Sequence, residues 1–391
     1  MAKLVETLVD AQFGRHKEDL TIKPSDVGGV SAGYAVTSRT LAGGRQDGVN
    51  VLEIDNGILK FALLPQRGMG IWKGWLEGKE IGWKSPTNGP VHPRYVPVYD
   101  PSGLGWLDGF DELLCRCGLE SNGAPEFDGR GLLRYPLHGK IANLPAHRVD
   151  LAIDGDTGEM AVTGVVDEAR FHFQKLRLTS TVTTRVGDAS LSIHDEVTNL
   201  SARPGEFQML YHINFGAPLL EAGAKVIAPV QTLVPRNSRA AESVEQWDHY
   251  PAPQSGYVEQ VYFLELLSDE DGATQALLKN ADGTLGVKIH FNTRQLPCFT
   301  LWKNTAAMVD GYVTGLEPGT NFPNPRSYEH ANRRVVALNP GESRSFDLRV
   351  EFLAGAAQVE KAETAIDALK AGFVPRIYDR PQPRWCEDAD S

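Results

Sequence analysis

The chain has 391 residues, of which 41% are hydrophobic and 23% are charged, the composition of an ordinary globular protein. It carries 39 Lys and Arg against 50 Asp and Glu, a formal net charge of -11, and the basic residues are scattered singly, which argues against a nucleic-acid partner. A chain of this length buries roughly three quarters of its unfolded surface, so it needs no disulfide or structural metal for stability.

No segment predicts secretion or membrane insertion. Residues 1–10 carry acids where a signal peptide needs an apolar run, and no apolar run approaches membrane-spanning length. The cysteines Cys115, Cys117, Cys298 and Cys386 include no Cys-x-x-Cys pair, so we expect free thiols. We predict a cytoplasmic protein with no membrane partner, no metal and no cofactor.

Short strand-like segments with turn signals between them dominate the chain. The turn signal Asp55-Asn56-Gly57 predicts a hairpin, and a second is predicted around Glu77-Gly78-Lys79. Clean alternation of polar and apolar residues is typical of antiparallel strands with one solvated face. The predicted strands include 51–54, 58–64, 176–186, 190–199, 285–291, 298–302, 333–338 and 345–352.

The rest of the chain has little regular structure in its pattern. The stretch from Trp83 to His138 is rich in Gly and Pro, and loops of that length are usually functional. Helical periodicity appears only at the two ends, and residues 358–370 predict a C-terminal helix. We therefore predict an all-β fold with a few short helices. We expect a single domain over residues 1–391, with its core at about 51–352, an N-terminal extension and a C-terminal helix and tail.

Glu317 is the first candidate catalytic residue. Pro318 favours an extended backbone at Glu317, and the Pro and Gly residues that follow predict that a strand ends here. Acidic residues at such corners sit on a rigid element and face clefts, where catalytic groups are frequent. On this segment alone, a solvated loop glutamate is the more common outcome.

Two histidines follow the same logic. In the strand around Tyr211, alternation puts His212 on the opposite face, so one of the two points inward. A buried structural histidine and a catalytic one are equally compatible with that position. His138 precedes Gly139, which allows close backbone approach, and its alternative is a turn histidine in solvent.

Arg116 lies between two cysteines in a largely apolar segment. Arginines in such surroundings usually pair with a carboxylate, here Asp111 or Glu112. The local pattern therefore favours a structural role for Arg116.

Three of these segments resemble the aldose 1-epimerases, or galactose mutarotase-like proteins. Leu137-His138-Gly139 is similar to that family's His-Gly element, which bears a substrate-binding histidine. The segment Tyr211-His212-Ile213-Asn214-Phe215-Gly216 is similar to its His-x-x-Phe-Asn strand end, which bears the general acid. The segment from Leu316 to Asn324 resembles the region that bears its general base, here Glu317. The resemblance covers roughly residues 51–352.

The stretches Leu64 to Met69 and Gly109 to Leu113 resemble a divergent bacterial branch of this family, the DUF4432-like proteins. The family's Gly-Arg-x-x-Asn-Arg stretch is absent. Arg116 is the first choice for its substrate-binding arginine, and Arg67 is the second.

The remaining substrate-binding candidates also rest on the resemblance. Asp248 is the candidate for the family's aspartate, and its neighbours Trp247 and Tyr250 are equally good candidates for stacking on a sugar face. Asn214 and Asn122 complete the candidate substrate-binding set.

The resemblance implies a large antiparallel β-sandwich and an isomerase that interconverts the anomers of a small sugar. Glu317 would take the proton of the C1 hydroxyl while His212 protonates the ring oxygen. His138 and Arg116 would donate hydrogen bonds to sugar oxygens.

Two alternatives stay open. One is a metal-dependent sugar isomerase or lyase, with His138, His212 and a carboxylate as ligands. The other is a carbohydrate-binding protein without catalysis. The sequence leaves the identity of the sugar and the oligomeric state open.

Overall fold

The computed structural model describes residues 2–387, and this part of the chain forms 26 β-strands and four α-helices. The strands up to residue 200 are β1 (Lys3–Asp10), β2 (Arg15–His16), β3 (Leu20–Ile22), β4 (Ala35–Thr40), β5 (Asn50–Asp55), β6 (Leu59–Leu64), β7 (Gly70–Leu76), β8 (Lys79–Ile81), β9 (Leu114–Leu119), β10 (Glu126–Phe127), β11 (Leu133–Tyr135), β12 (Arg148–Asp154), β13 (Glu159–Ala169), β14 (Lys175–Arg185) and β15 (Ser190–Asn199).

The later strands are β16 (Gly205–Phe215), β17 (Lys225–Ile227), β18 (Val230–Pro235), β19 (Gln260–Leu266), β20 (Ala273–Lys279), β21 (Leu285–Asn292), β22 (Cys298–Asn304), β23 (Val313–Gly319), β24 (Val336–Leu338), β25 (Ser343–Ala354) and β26 (Arg376–Ile377). The α-helices are α1 (Pro24–Val27), α2 (Ser238–Ala241), α3 (Arg326–Ala331) and α4 (Ala356–Lys370). Short 3-10 helices cover Ala11–Phe13, Gly44–Gln46, Pro93–Tyr95, Gly105–Gly109, Ile141–Asn143, Val244–Gln246 and Met308–Asp310.

Two large sheets account for most of these strands. The ten-stranded sheet has the order β17-β20-β21-β25-β15-β14-β13-β12-β1-β2. The larger, fourteen-stranded sheet runs β26-β18-β19-β22-β23-β16-β9-β7-β6-β5-β4-β3, with β24 on β16 and β8 on β7. Within the described residues the pairing is antiparallel, apart from the parallel pair β18–β26 and isolated bridges. The all-β, antiparallel prediction is confirmed.

The main hydrophobic core lies between the two sheets, because one cluster of buried residues draws on both. Leu178 and Ile193 enter it from the ten-stranded sheet, and Tyr211 and Leu316 enter it from the fourteen-stranded sheet. Side chains alternate along a strand, so their neighbours His212 and Glu317 point to the outer face of the fourteen-stranded sheet.

The helix α4 packs on the outer face of the ten-stranded sheet. Its buried residues Val359, Ala362 and Ile366 contact Leu277 and Leu353. Their spacing of three to four residues is one stripe of an amphipathic helix. None of the described helices is long and apolar enough to cross a membrane.

Most of the local elements that the sequence predicts are present in the structure. Both predicted hairpins form, as β5–β6 and β7–β8, and α4 begins two residues before the predicted start. The N-terminal end differs from its sequence pattern. Its residues have helical periodicity but form β1, which pairs with β12. This strand pairing outweighs the periodicity. The single domain over residues 1–391 remains a prediction.

Candidate functional site

A cavity of about 260 Å³ opens on the outer face of the fourteen-stranded sheet, and Glu317 and His212 line it. The flanking pairs Ile213–Leu316 and Leu210–Gly319 place His212 on β16 directly across from Glu317 on β23. His212 Nε2 lies 3.2 Å from Glu317 Oε1, and the two side chains are 5% and 2% exposed. Sheet register thus brings a buried imidazole and a buried carboxyl group together.

The strand that carries Glu317 runs further than the sequence predicts. The strand β23 continues through Pro318 to Gly319 and lies between β16 and β22. Its pairing with β16 is interrupted at Glu317 and Pro318, where the proline has no N–H to donate. An interrupted ladder accommodates proline inside the sheet, so Glu317 stands on a rigid strand and not at a corner.

Gly315 makes room for the pair. It lies two residues before Glu317 on β23, so its missing side chain would point to the same face. A Cβ there would collide with Glu317 Oε1 and lie 3.2 Å from His212 Cε1. The close contact therefore requires a glycine at this position.

Asn214 fixes the tautomer of His212. Its Nδ2 donates to the backbone oxygens of Glu112 and His212, so its Oδ1 is left to accept from His212 Nδ1 at 2.6 Å. The proton of a neutral His212 ring is thus held on Nδ1. The lone pair of Nε2 then faces Glu317.

His138 enters the same cavity from the segment after β11, since the stretch predicted as a long loop contains β9, β10 and β11. Its ring is 5.3 Å from that of His212 and 4.6 Å from that of Trp106, measured between centroids. The backbone has a left-handed conformation at φ 56°, and a Cβ on the following Gly139 would collide with the carbonyl oxygens of Ser121 and Gly118. The predicted close approach at Gly139 is therefore present, and His138 is not a solvated turn histidine.

The His138 ring is an acceptor toward the cavity. Its Nδ1 donates to the backbone oxygen of Asn122 at 3.0 Å, which leaves the lone pair of Nε2 free. Burial lowers the pKa of His138 to about 4, so the ring is neutral at physiological pH. The predicted donation from His138 to sugar oxygens is therefore wrong, because the neutral ring has only an acceptor, Nε2, left for a ligand.

Burial shifts the two members of the central pair in opposite directions. It raises the pKa of Glu317 well above its usual range, with a further contribution from Glu259 and an opposing one from Arg236. Burial likewise lowers the pKa of His212 well below 6.5, and His138 adds to this. No Arg or Lys of the described chain pairs with Glu317. The neutral forms are therefore favoured, and the proton that the two groups can exchange then lies on Glu317.

The walls of the cavity combine aromatic rings with unused polar atoms. Trp106 and Trp302 line it, as does Phe110, whose ring is 5.0 Å from that of His212. In these walls, two buried polar atoms have no hydrogen-bond partner: Trp106 Nε1 and Thr300 Oγ1. Because buried polar atoms are rarely left unpaired, this cavity is suited to a ligand with hydroxyl groups.

Arg116 does not reach the cavity. It lies between the two sheets, is 1% exposed, and pairs with Asp195, which is 0% exposed. Its five N–H groups are all used: three bonds go to Asp195 and Ser180, and two go to the carbonyl oxygens of Gly68 and Met69. The prediction that Arg116 binds substrate is therefore corrected to a structural role, with Asp195 and not Asp111 or Glu112 as its partner.

The second choice, Arg67, is also a structural residue. It is 1% exposed and pairs with Glu112, and its other bonds go to Asn143 and to the backbone oxygens of Val91 and Gly109. These bonds tie the segment after β8 to the sheet. Arg67 is not among the residues that line the cavity.

Trp247 and Asp248 lie on the opposite face of the sheet. Lys303 follows the cavity residue Trp302 on β22 and so points away from the cavity, and its Nζ donates to the backbone oxygens of Trp247 and two neighbours. Trp247 packs against the main core, and Asp248 pairs with the adjacent His249. Neither residue is placed to bind a ligand in the cavity.

The two asparagines act through the histidines. Asn214 orients His212, as described above. Asn122 exchanges side-chain hydrogen bonds with Asn321, and its backbone oxygen orients His138. Both are fully buried outside the cavity, so the structure corrects their predicted contact with substrate to a positioning role.

Sequence reasoning missed three polar residues of the cavity: Thr300, Arg236 and Glu259. Thr300 pairs with Glu317 across β22 and β23 and is two residues before Trp302, on the same face. The sequence shows that Thr300 and Trp302 alternate along one strand, so they share a face. It does not show the register between β22 and β23, which places Thr300 beside Glu317. Nothing in their local sequence distinguishes Arg236 and Glu259 from surface charges.

Between residues 2 and 387, no three His, Cys, Asp or Glu side chains are arranged to hold a metal ion. The ligand set named for the metal-dependent alternative, with both cavity histidines and a carboxylate, therefore does not assemble here. Cys115, Cys117 and Cys298 are buried free thiols, and Cys386 is buried as well.

The comparisons with known proteins agree with this architecture. A family model described as a domain of unknown function (DUF4432) matches residues 46–352. The chain belongs to the DUF4432 family. A search of the curated proteins finds no match to this DUF4432 protein.

Solved structures extend the likeness. A Klebsiella pneumoniae protein, provisionally named an aldose 1-epimerase, is 35% identical over 97% of this chain and 99% of its own, with a TM-score of 0.94. A galactose mutarotase-like protein from Clostridium acetobutylicum is 14% identical, covering 82% of this chain and 98% of its own, with a TM-score of 0.55.

The galactose 1-epimerase of Lactobacillus acidophilus is 13% identical, covering 82% of this chain and 99% of its own, with a TM-score of 0.53. At such low identities the likeness shows the fold alone. The DUF4432 protein has the galactose mutarotase-like β fold, as its sequence predicted.

Proposed function

We propose that this DUF4432 protein is a mutarotase-like isomerase that interconverts the anomers of a sugar by opening and closing its ring. The observation that carries the proposal is the buried pair of Glu317 and His212, 3.2 Å apart in a cavity with unused polar atoms. A protein that only binds sugars has no need of a buried acid next to a buried base. The 35% identical Klebsiella pneumoniae protein, provisionally named an aldose 1-epimerase, supports the same class of reaction.

The reaction needs one proton on the pair. One member takes the proton of the C1 hydroxyl as the C1–O5 bond breaks and C1 becomes a carbonyl carbon, and the other gives its proton to O5. After rotation about C1–C2, the reverse steps close the ring on the other carbonyl face. Both members return to their starting protonation state.

We assign the base role to Glu317 and the acid role to His212. Moving the shared proton from Glu317 to His212 Nε2 forms the carboxylate and the imidazolium that these roles require. The neutral pair, with Glu317 as acid and His212 as base, holds the same number of protons. The proposal therefore depends on the proton count of the pair and on its geometry.

The surrounding residues would hold the ring. His138 Nε2 would accept from one sugar hydroxyl, and Trp106 Nε1 and Thr300 Oγ1 would satisfy their unused hydrogen-bonding capacity on others. The face of Trp302 offers a surface for the apolar C–H groups of the ring. Each such hydrogen bond contributes about 0.5–1.5 kcal/mol.

We expect the wild-type protein to accelerate anomer exchange of at least one free sugar in saturation-transfer NMR. His212→Asn should lower the exchange rate per folded molecule by about 100-fold or more, because the pair loses one of its two proton-transfer groups. His194→Asn is a matched control, since His194 lies on the ten-stranded sheet and pairs with Asp347. This variant should exchange anomers at the wild-type rate. Normal exchange by folded His212→Asn would contradict the proposal.

The pH dependence follows from the same pair. The pKa of His212 lies below 6.5, so the doubly protonated, inactive pair forms only in acid. The pKa of Glu317 is raised, so the pair keeps its last exchangeable proton to a higher pH than an ordinary carboxyl group would. We expect kcat/KM for anomer exchange, corrected for the uncatalysed rate, to fall in acid with a midpoint below pH 6.5, as His212 takes up a second ring proton. An acid limb centred above 6.5 would show that His212 is not held neutral by burial.

A further inference from the structure

The guanidinium of Arg236 makes no hydrogen bond to any residue of the described chain. Arg236 follows β18 and lines the cavity with a side chain that is 33% exposed. Its backbone N–H donates to Val261. Its nearest acid is Glu259, at 3.7 Å from Nη1 to Oε1, which is too long for a hydrogen bond.

Glu259 is held away from Arg236 by another bond. Its Oε2 accepts from Trp302 Nε1 at 2.7 Å, and half of the side chain is exposed. The open ion pair is therefore worth little, as solvent-exposed pairs usually are. Arg236 keeps five N–H donors in a planar fork that matches a carboxylate or a phosphate.

The charge of the cavity depends on Arg236. Among the residues that line the cavity, Arg236 is the only lysine or arginine. It also lies close enough to the catalytic groups to influence them, since its charge acts on both Glu317 and His138. A cavity of about 260 Å³ leaves room for little more than one sugar ring between Arg236 and Glu317.

We propose that the cavity takes an acidic monosaccharide, whose carboxylate or phosphate binds the Arg236 fork while the anomeric carbon lies at Glu317 and His212. This inference rests on the proposed function for the position of the anomeric carbon. It gives the Arg236 guanidinium a hydrogen-bond acceptor, and it makes Arg236 a specificity-determining residue. Glu259 limits the affinity, because its carboxylate competes for the same cation.

The experiment compares matched sugars in saturation-transfer NMR: glucuronate with glucose, galacturonate with galactose, and glucose 6-phosphate as the phosphate arm. We expect KM to be lower for the acidic member of a pair. Arg236→Gln should raise that KM by about 10- to 100-fold, the worth of a hydrogen bond between charged groups, and change the KM of the neutral sugars much less. Glu259→Gln keeps an acceptor for Trp302 and should lower the KM for acidic sugars.

Arg177→Gln is the control, because Arg177 has a similar exposure of 36% but lies on β14, paired with Asp167. The inference is overturned if neutral sugars are handled as well as acidic ones, or if Arg236→Gln affects both alike. Calorimetric titration with glucuronate, glucose and glucose 6-phosphate separates this from failure of the proposed function. Even if no sugar exchanges, the acidic ligand is supported when the wild-type protein binds an acidic sugar more tightly than glucose and Arg236→Gln loses that preference. Equal binding of acidic and neutral sugars by the wild-type protein rejects it.

Discussion

Glu317→Gln is expected to abolish anomer exchange, with a loss of about 100-fold or more. The amide has the shape of the carboxyl group but cannot take or give a proton in the reaction. Since burial favours the neutral form of Glu317, the neutral amide should fit the site without loss of stability. Sugar affinity should stay within a few-fold of wild type.

Saturation-transfer NMR would measure the exchange rate, and calorimetric titration the affinity. Glu265→Gln is the matched control, because Glu265 lies on β19 of the same sheet, partly buried but outside the cavity. That variant should exchange sugars at the wild-type rate. If Glu317→Gln did so as well, the carboxyl group would have no part in the reaction and the mutarotase proposal would fail.

Arg116→Met is expected to lower the free energy of unfolding by about 3–5 kcal/mol, because it leaves Asp195 charged and fully buried between the sheets. That is a large part of the roughly 5–15 kcal/mol by which folded proteins are stable. Urea unfolding followed by tryptophan fluorescence would measure the loss. Adding Asp195→Asn should recover much of it, since the uncompensated charge is then gone.

Tyr211→Phe is the control for this prediction. The Tyr211 hydroxyl donates to Asp195 at 2.9 Å, so its removal costs one hydrogen bond and no charge, or about 1 kcal/mol. Folded Arg116→Met should keep its sugar affinity. A variant with wild-type stability and lost affinity would return Arg116 to the substrate-binding role that the family resemblance implies.

The difference between Arg116 and Arg236 shows what the sequence could not supply. Arg116 is the sequence's first candidate for a substrate-binding arginine because it lies near the chain position of a family motif. Arg236 has no such motif around it. Whether an arginine faces a cavity depends on which strands are neighbours and on which face its side chain lies. Those are contacts between residues far apart in the chain, such as Arg116 and Asp195.

The same limit applies to the loop around Trp247. Its aromatic and acidic residues are of the right type for a sugar site, and local sequence gave no reason to reject them. Only the alternation along β22 decides that Trp302 faces the cavity, while Lys303 faces the other side and holds that loop there. Residue type alone does not separate the two faces of a sheet.

The sequence by itself determined the all-β class, the hairpins, the C-terminal helix and the family, because alternation, turn residues and short motifs are local properties of the chain. It also singled out Glu317, His212 and His138. Only the tertiary structure decided that these three share a cavity, that Arg67 and Arg116 are buried in hydrogen-bonded ion pairs, and that Arg236 lines the cavity with its guanidinium free of hydrogen bonds to the described chain. The register of β16, β22 and β23 sets those outcomes, and register is fixed by packing across the whole sheet.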